Sequence, residues 1–116
     1  MPKQKLNPLP AAAFQILMAL ADDDLHGYEI MRRVDEQTHG RPRLGPGTLY
    51  SSIQALLDAG FIVEVASRSD AGPNDERRRY YRLTAAGRKA ARDEAERLAD
   101  MLRVARAKKI LRGEYV

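Results

Sequence analysis

The chain has 116 residues, a formal net charge of +4 and a pI of about 9.6. That is one domain with room for a modest core, and its charge has the sign that suits a polyanionic partner. With no cysteine, disulfides, zinc–thiolate sites and thiol redox chemistry are excluded.

The opening residues, Met1 to Pro8, lack the apolar stretch and cleavage site of a secretory signal. The longest apolar run, Ile16 to Ala21, is well short of the roughly 20 residues that span a bilayer. A soluble, cytoplasmic chain is expected. Leu9 to Ala21 predicts a first helix, with Leu9, Ala13, Ile16, Leu17 and Leu20 at helical spacing and Phe14 and Met18 widening the stripe. Asp22-Asp23-Asp24 ends it and is expected to cap the next helix. That second helix runs from about His26 to Gln37, with Tyr28, Ile30, Met31 and Val34 as its apolar set. Thr38 to Gly45 is a polar turn holding Gly40 and Pro42.

The third helix occupies residues 45–60 and is the most telling segment. Pro46 suits a first helical position, Gly45 can cap, and Gly60 suits the left-handed position after the end. Leu49, Ile53, Leu56 and Leu57 make one side apolar. The other side carries Thr48, Ser51, Ser52 and Gln54, with Tyr50 near the start. A solvated helix face would normally carry Lys and Glu. Short hydroxyls, an amide and a phenol suit a helix pressed against a polar, anionic surface, and the DNA major groove is such a surface. On that reading Thr48 and Ser51 meet phosphates or thymine methyls, and Gln54 addresses an adenine edge with both amide atoms. Tyr50 either hydrogen-bonds a phosphate or lies half-buried against Tyr28.

Phe61 to Val65 is β-branched and aromatic, hence a strand; Ser67 to Asp75 is a loop; Arg78 to Leu83 is the returning strand. Tyr80 and Tyr81 alternate across it, so one is expected to face the core. Arg77, Arg78, Arg79 and Arg82 surround this hairpin, with Arg68 across the loop, and Asp75 and Glu76 partly offset them. Arg68, Arg77 and Arg78 are the candidate phosphate contacts. Thr84 caps a last helix from about Ala85 to Leu111. Ala91, Ala95, Leu98, Leu102 and Ala105 recur on it at four-three-four-three spacing, with Met101 and Ile110 beside them. A domain this small cannot bury both faces of so long a helix, so a second copy is expected on it. The alanines leave a gap in which a small apolar effector could sit, lined by Leu98, Met101, Leu102, Phe14 and Met18. Three helices followed at once by a hairpin is the winged helix-turn-helix plan. The expected organisation is therefore residues 1–84 as the winged DNA-binding part and 85–116 as a dimerisation helix, together one compact, mainly α unit.

Four segments carry a family resemblance: His26-Gly27-Tyr28-Glu29-Ile30, Gly47-Thr48-Leu49-Tyr50, Leu57-Asp58-Ala59-Gly60-Phe61-Ile62, and Arg79 to Gly87. In this order and spacing they resemble the PadR family of bacterial transcriptional regulators, over residues 10–90. The resemblance implies a winged helix-turn-helix, a dimer built through the C-terminal helix, and usually repression. Tyr28, Gly47 and Tyr50 are counted with the candidate DNA contacts. A single short C-terminal helix resembles the small subfamily, some members of which bind planar drug-like molecules between subunits. Ser51 departs from the pattern, since the family often has proline after the tyrosine; a serine adds a donor that can touch DNA.

Catalysis finds no support. Gly45-Pro46-Gly47 lacks both the third glycine and the preceding strand of a nucleotide-binding turn. His26 and His39 stand apart from any ligand-spaced partner, and His26 is expected to start a helix, so neither metal nor cofactor is expected. The sequence points to a homodimer that binds a palindromic duplex-DNA operator as a repressor, with a small apolar molecule as the candidate releasing effector. The alternative is a winged-helix module that pairs with another protein, its basic wing meeting an acidic partner.

Overall fold

The computed structural model describes residues 6–40, 44–65 and 79–112. Helix α1 (Ala11–Ala19) follows Pro10 and buries Ala13, Ile16, Leu17 and Ala19. It is the central helix, packed against α2 (Gly27–Thr38), α3 (Pro46–Asp58) and α4 (Ala85–Ala107). Its buried face meets Ile30 and Val34 of α2 and Leu49, Ile53 and Leu56 of α3 in one apolar cluster, closed by Leu9, Leu25, Ile62 and Tyr81. The apolar stripes predicted for these helices thus converge on a single core.

The sheet is larger than the predicted hairpin. Strands β2 (Ile62–Val65) and β3 (Tyr80–Leu83) pair antiparallel, with Ile62 opposite Leu83 and Val65 opposite Tyr80. A two-residue strand β1 (Leu25–His26) adds to the far side of β3, giving the order β1-β3-β2. Two residues carry no alternation, which is why sequence pattern misses them. The extra strand corrects two expectations. First, the cap of α2 is not one of the aspartates but His26, whose Nδ1 accepts the Glu29 N–H at 3.3 Å while Glu29 Oε1 accepts the His26 N–H at 3.3 Å. Second, both tyrosines of β3 are buried, because β3 is the middle strand. Tyr81 joins the core, and burial pushes its phenol above the usual tyrosine range. Tyr80 meets the His26 ring edge-on at 5.4 Å.

The acidic triplet serves instead as anchorage. Asp24 accepts a bidentate pair from Arg82, with Nη2 to Oδ2 at 2.7 Å, and Asp23 lies 3.7 Å from Arg33. Gly60 closes α3 at φ +78, as expected.

The start of α4 is fixed to the end of α3. Thr84 Oγ1 accepts the Gly87 N–H at 3.0 Å and donates to the Gly60 carbonyl at 2.7 Å. A β-carbon on Gly87 would overlap the Phe61 carbonyl oxygen, so only glycine lets these backbones meet. Arg88 adds a bond to the Ala21 carbonyl at 3.1 Å. Further along, Glu94 is buried and bonded by Arg97 at 2.9 and 2.6 Å. No described residue of α4 beyond Glu94 is buried, and the described molecule extends 55 × 30 × 25 Å. The helix stops at Ala107 rather than Leu111, because Lys109 turns left-handed at φ 62 and the Ile110 N–H folds back to the Ala105 carbonyl at 2.9 Å.

Candidate nucleic-acid interface

Helix α3 begins with Gly45 in an extended conformation and Pro46 in its first turn. Among the described residues no side chain caps it, so the N–H groups of Gly47 and Thr48 open its positive end outward. Around Gly47 there is space for a β-carbon: nothing stands within 4 Å of where it would lie. The fold does not require glycine here, and alanine is the better helix former.

Down the outer face, Thr48, Tyr50, Ser51 and Gln54 are all exposed. Ser51 Oγ donates to the Thr48 carbonyl at 3.2 Å. Gln54 Nε2 donates to Asp58 Oδ1 at 3.0 Å. Ser52 does not share this face. It is fully buried beside Leu49, Ile53 and Leu56, and its hydroxyl has no hydrogen-bond partner among the described residues. Its position at 100° per residue from Ser51 carries it inward, so a side chain grouped with the outer polar set belongs to the inner one.

Tyr50 is 57% exposed, and its ring lies over the start of α2: a β-carbon on Gly27 would stand 3.1 Å from its hydroxyl. Gly27 thus seats α3 on α2 by letting the ring close on backbone. Tyr28 is 61% exposed, outside the core to which its helical spacing assigned it, and its ring stacks on His26 at 6.5 Å. Together the two phenols extend the polar face of α3 across the first turn of α2.

The three wing arginines named from the sequence, Arg68, Arg77 and Arg78, lie outside the described residues. Their two described neighbours are engaged in ion pairs. Arg79 lies 3.6 Å from Glu64, and Arg82 is held by Asp24, whose carboxylate raises its already high pKa.

The residues named for the last helix divide. Ala91 packs on the chain's own core; Leu98, Leu102 and Ala105 are half-buried; Ala95 and Met101 are exposed. Val104 is also exposed, one turn beyond Met101, and the four-three count from Ala91 passes over it. Phe14 packs at the edge of the core, and Met18 is half-buried. Sequence reasoning also missed Asp58 and Glu94, whose partners three or four residues away are a local signal that a search for apolar spacing ignores.

Among the described residues, no helix is long and apolar enough to cross a membrane, and no cluster of His, Cys, Asp or Glu could hold a metal ion.

Comparison with known proteins agrees with this geometry. Residues 16–93 match the transcriptional regulator PadR-like family. The transcriptional regulator Rv3488 of Mycobacterium tuberculosis is 32% identical over 93 residues, covering 80% of each chain. An uncharacterized 37.1 kDa protein in transposon TN4556 of Streptomyces fradiae is 40% identical over 88 residues, 76% of this chain. The match spans only 23% of that longer relative. Among solved structures, a transcriptional regulator from Clostridium thermocellum superposes with a TM-score of 0.70 at 27% identity, over 87% of this chain and 90% of that one. A PadR family transcription regulator from Clostridium difficile shares the fold with a TM-score of 0.69 at 23% identity, over 84% and 97%. The chain belongs to the PadR-like family of transcriptional regulators, winged helix-turn-helix proteins that bind DNA and are not enzymes.

Proposed function

We propose that the protein is a homodimeric repressor that reads a palindromic operator with α3 and grips the flanking phosphates with its wing. One observation supports this reading above the others: the exposed face of α3 is uncharged from Pro46 to Gln54 and is fronted by an uncapped N-terminus. Such a face gains little from water and much from a groove floor. In this assignment Gly47 and Thr48 approach a phosphate, Ser51 and Gln54 meet base edges, and Tyr28 and Tyr50 hydrogen-bond the backbone. Arg68, Arg77 and Arg78 supply the wing contacts.

The dimer forms through Ala95, Leu98, Met101, Leu102 and Ala105, with Ala91 at its inner limit. The exposure of Met101 and Val104 on a helix unburied beyond Glu94 supports a second copy there. A small apolar effector would enter a gap between the subunits, lined by Leu98, Met101 and Leu102 with Phe14 and Met18 of α1. The protein would work in the cytoplasm, beside its DNA.

Wing and helix have separable roles. Arg78→Ala should weaken all duplexes alike and lower the salt slope by about 0.9 for each phosphate it no longer neutralises. Gln54→Ala should cost roughly 1–3 kcal/mol on the preferred duplex and leave random DNA nearly unaffected. Titrations of both variants across salt decide this. An unchanged slope for the arginine variant, or equal losses on both duplexes for Gln54→Ala, contradicts the assignment.

A further inference from the structure

We propose that Asp58 is a positioning residue for base reading by Gln54, and that its charge suppresses binding to unselected DNA. The proposal rests on the reading of Gln54 given above. A primary amide has two N–H donors and a carbonyl acceptor. An adenine edge needs one of those donors, for N7, and the carbonyl, for the N6 amine. Asp58 Oδ1 accepts from Gln54 Nε2 at 3.0 Å, which uses the donor that adenine leaves over. The terminal torsion of a glutamine is otherwise broad and allows the amide to turn end for end. A carboxylate beside it accepts only from the amine end. The amide is therefore set before DNA arrives, with its carbonyl directed away from Asp58.

Asp58 contributes little to the fold itself. It is the last residue of α3, where the helix dipole disfavours a negative charge. It is exposed, and it is the one charged side chain among the 13 residues of the helix. An acid without a neighbouring lysine or arginine in α3, on the helix that faces phosphates, weakens every complex by the same electrostatic term. On the preferred duplex the oriented amide recovers what repulsion removes; on other duplexes nothing does.

The test uses the full chain and a duplex enriched by the wild-type protein from a random pool, compared with a random-sequence duplex. Asp58→Asn loses the charge and offers Gln54 both an acceptor and a donor, so it holds the amide in one orientation only in part. It should bind both duplexes about threefold more tightly and lose less preference than Asp58→Ala. Asp58→Ala loses the acceptor as well, and its preference should fall about tenfold. In a Gln54→Ala background, Asp58→Ala should shift both duplexes equally. Melting curves establish that each variant is folded. Identical behaviour of Asp58→Asn and Asp58→Ala would reduce Asp58 to a charge and overturn the proposal. So would a loss of preference that persists undiminished on the Gln54→Ala background. If Gln54→Ala loses preference while Asp58→Ala keeps it, the proposal alone falls. If Gln54→Ala keeps full preference, the reading of Gln54 falls and the proposal with it.

Discussion

Gly47, proposed as a DNA contact, occupies a place where the fold itself has room for a side chain. It sits in the first turn of α3 with a negative φ and open space where a side chain would go. A glycine in a helix costs roughly 0.5–1 kcal/mol relative to alanine. Gly87 is the contrast, since there the Phe61 carbonyl forbids any β-carbon. Gly47→Ala should therefore raise the unfolding free energy, by up to about 1 kcal/mol, while weakening DNA binding, because on the proposed assignment the added methyl stands where a phosphate approaches. Denaturant melts and binding titrations on one preparation check both signs. A variant that is more stable and binds DNA as well as wild type would remove Gly47 from the interface. The neighbouring Ser52 marks the limit of the sequence reading at this scale. Its residue type matched the outer polar face, and one step of helical rotation placed it in the core.

At the scale of elements, the helices were legible because their apolar residues recur with the right period, and the ends of α3 because Pro46 and Gly60 mark them. What escaped was set by tertiary contacts. Strand β1 exists because β3 offers it an edge, the cap moved from an aspartate to His26 because that strand intervenes, and α4 ends early through a left-handed lysine that no Gly or Pro announces. Of the candidate site, the outer face of α3 was readable from composition, whereas the seating of Tyr50 on Gly27 depends on a crossing of helices that composition does not encode. Glu94 lies equally outside any periodic signal and is held by Arg97 three residues along α4. Its bonds from Arg97 hold the carboxylate below the usual range, against the effect of burial. A carboxylate whose pKa is depressed by folding stabilises the fold above the unfolded value, about 4.3, and loses that contribution as pH falls toward the folded value. Wild-type stability should thus decline more steeply below about pH 5 than that of Glu94→Gln. Urea midpoints measured from pH 7 to pH 3 give the comparison, and parallel profiles would mean that Glu94 gains nothing from its partners.

For the whole molecule, α4 is the proposed site of assembly. Its 23 residues extend roughly 34 Å at 1.5 Å per residue, and only its first half is held by the chain's own core. Leu98→Glu combined with Leu102→Glu would place four like charges in one dimer interface, and an unpaired buried charge costs several kcal/mol. Sedimentation should show a monomer or an unfolded chain; a folded dimer would exclude this seam as the interface. If the dimer is two-fold symmetric, its two α3 helices must enter successive major grooves roughly 34 Å apart. The most direct measurement is a hydroxyl-radical footprint of the wild-type protein on a duplex that it selects from a random pool. A symmetric dimer should leave two protected patches of inverted sequence, centred about ten base pairs apart. A single protected half-site at saturating protein would contradict it.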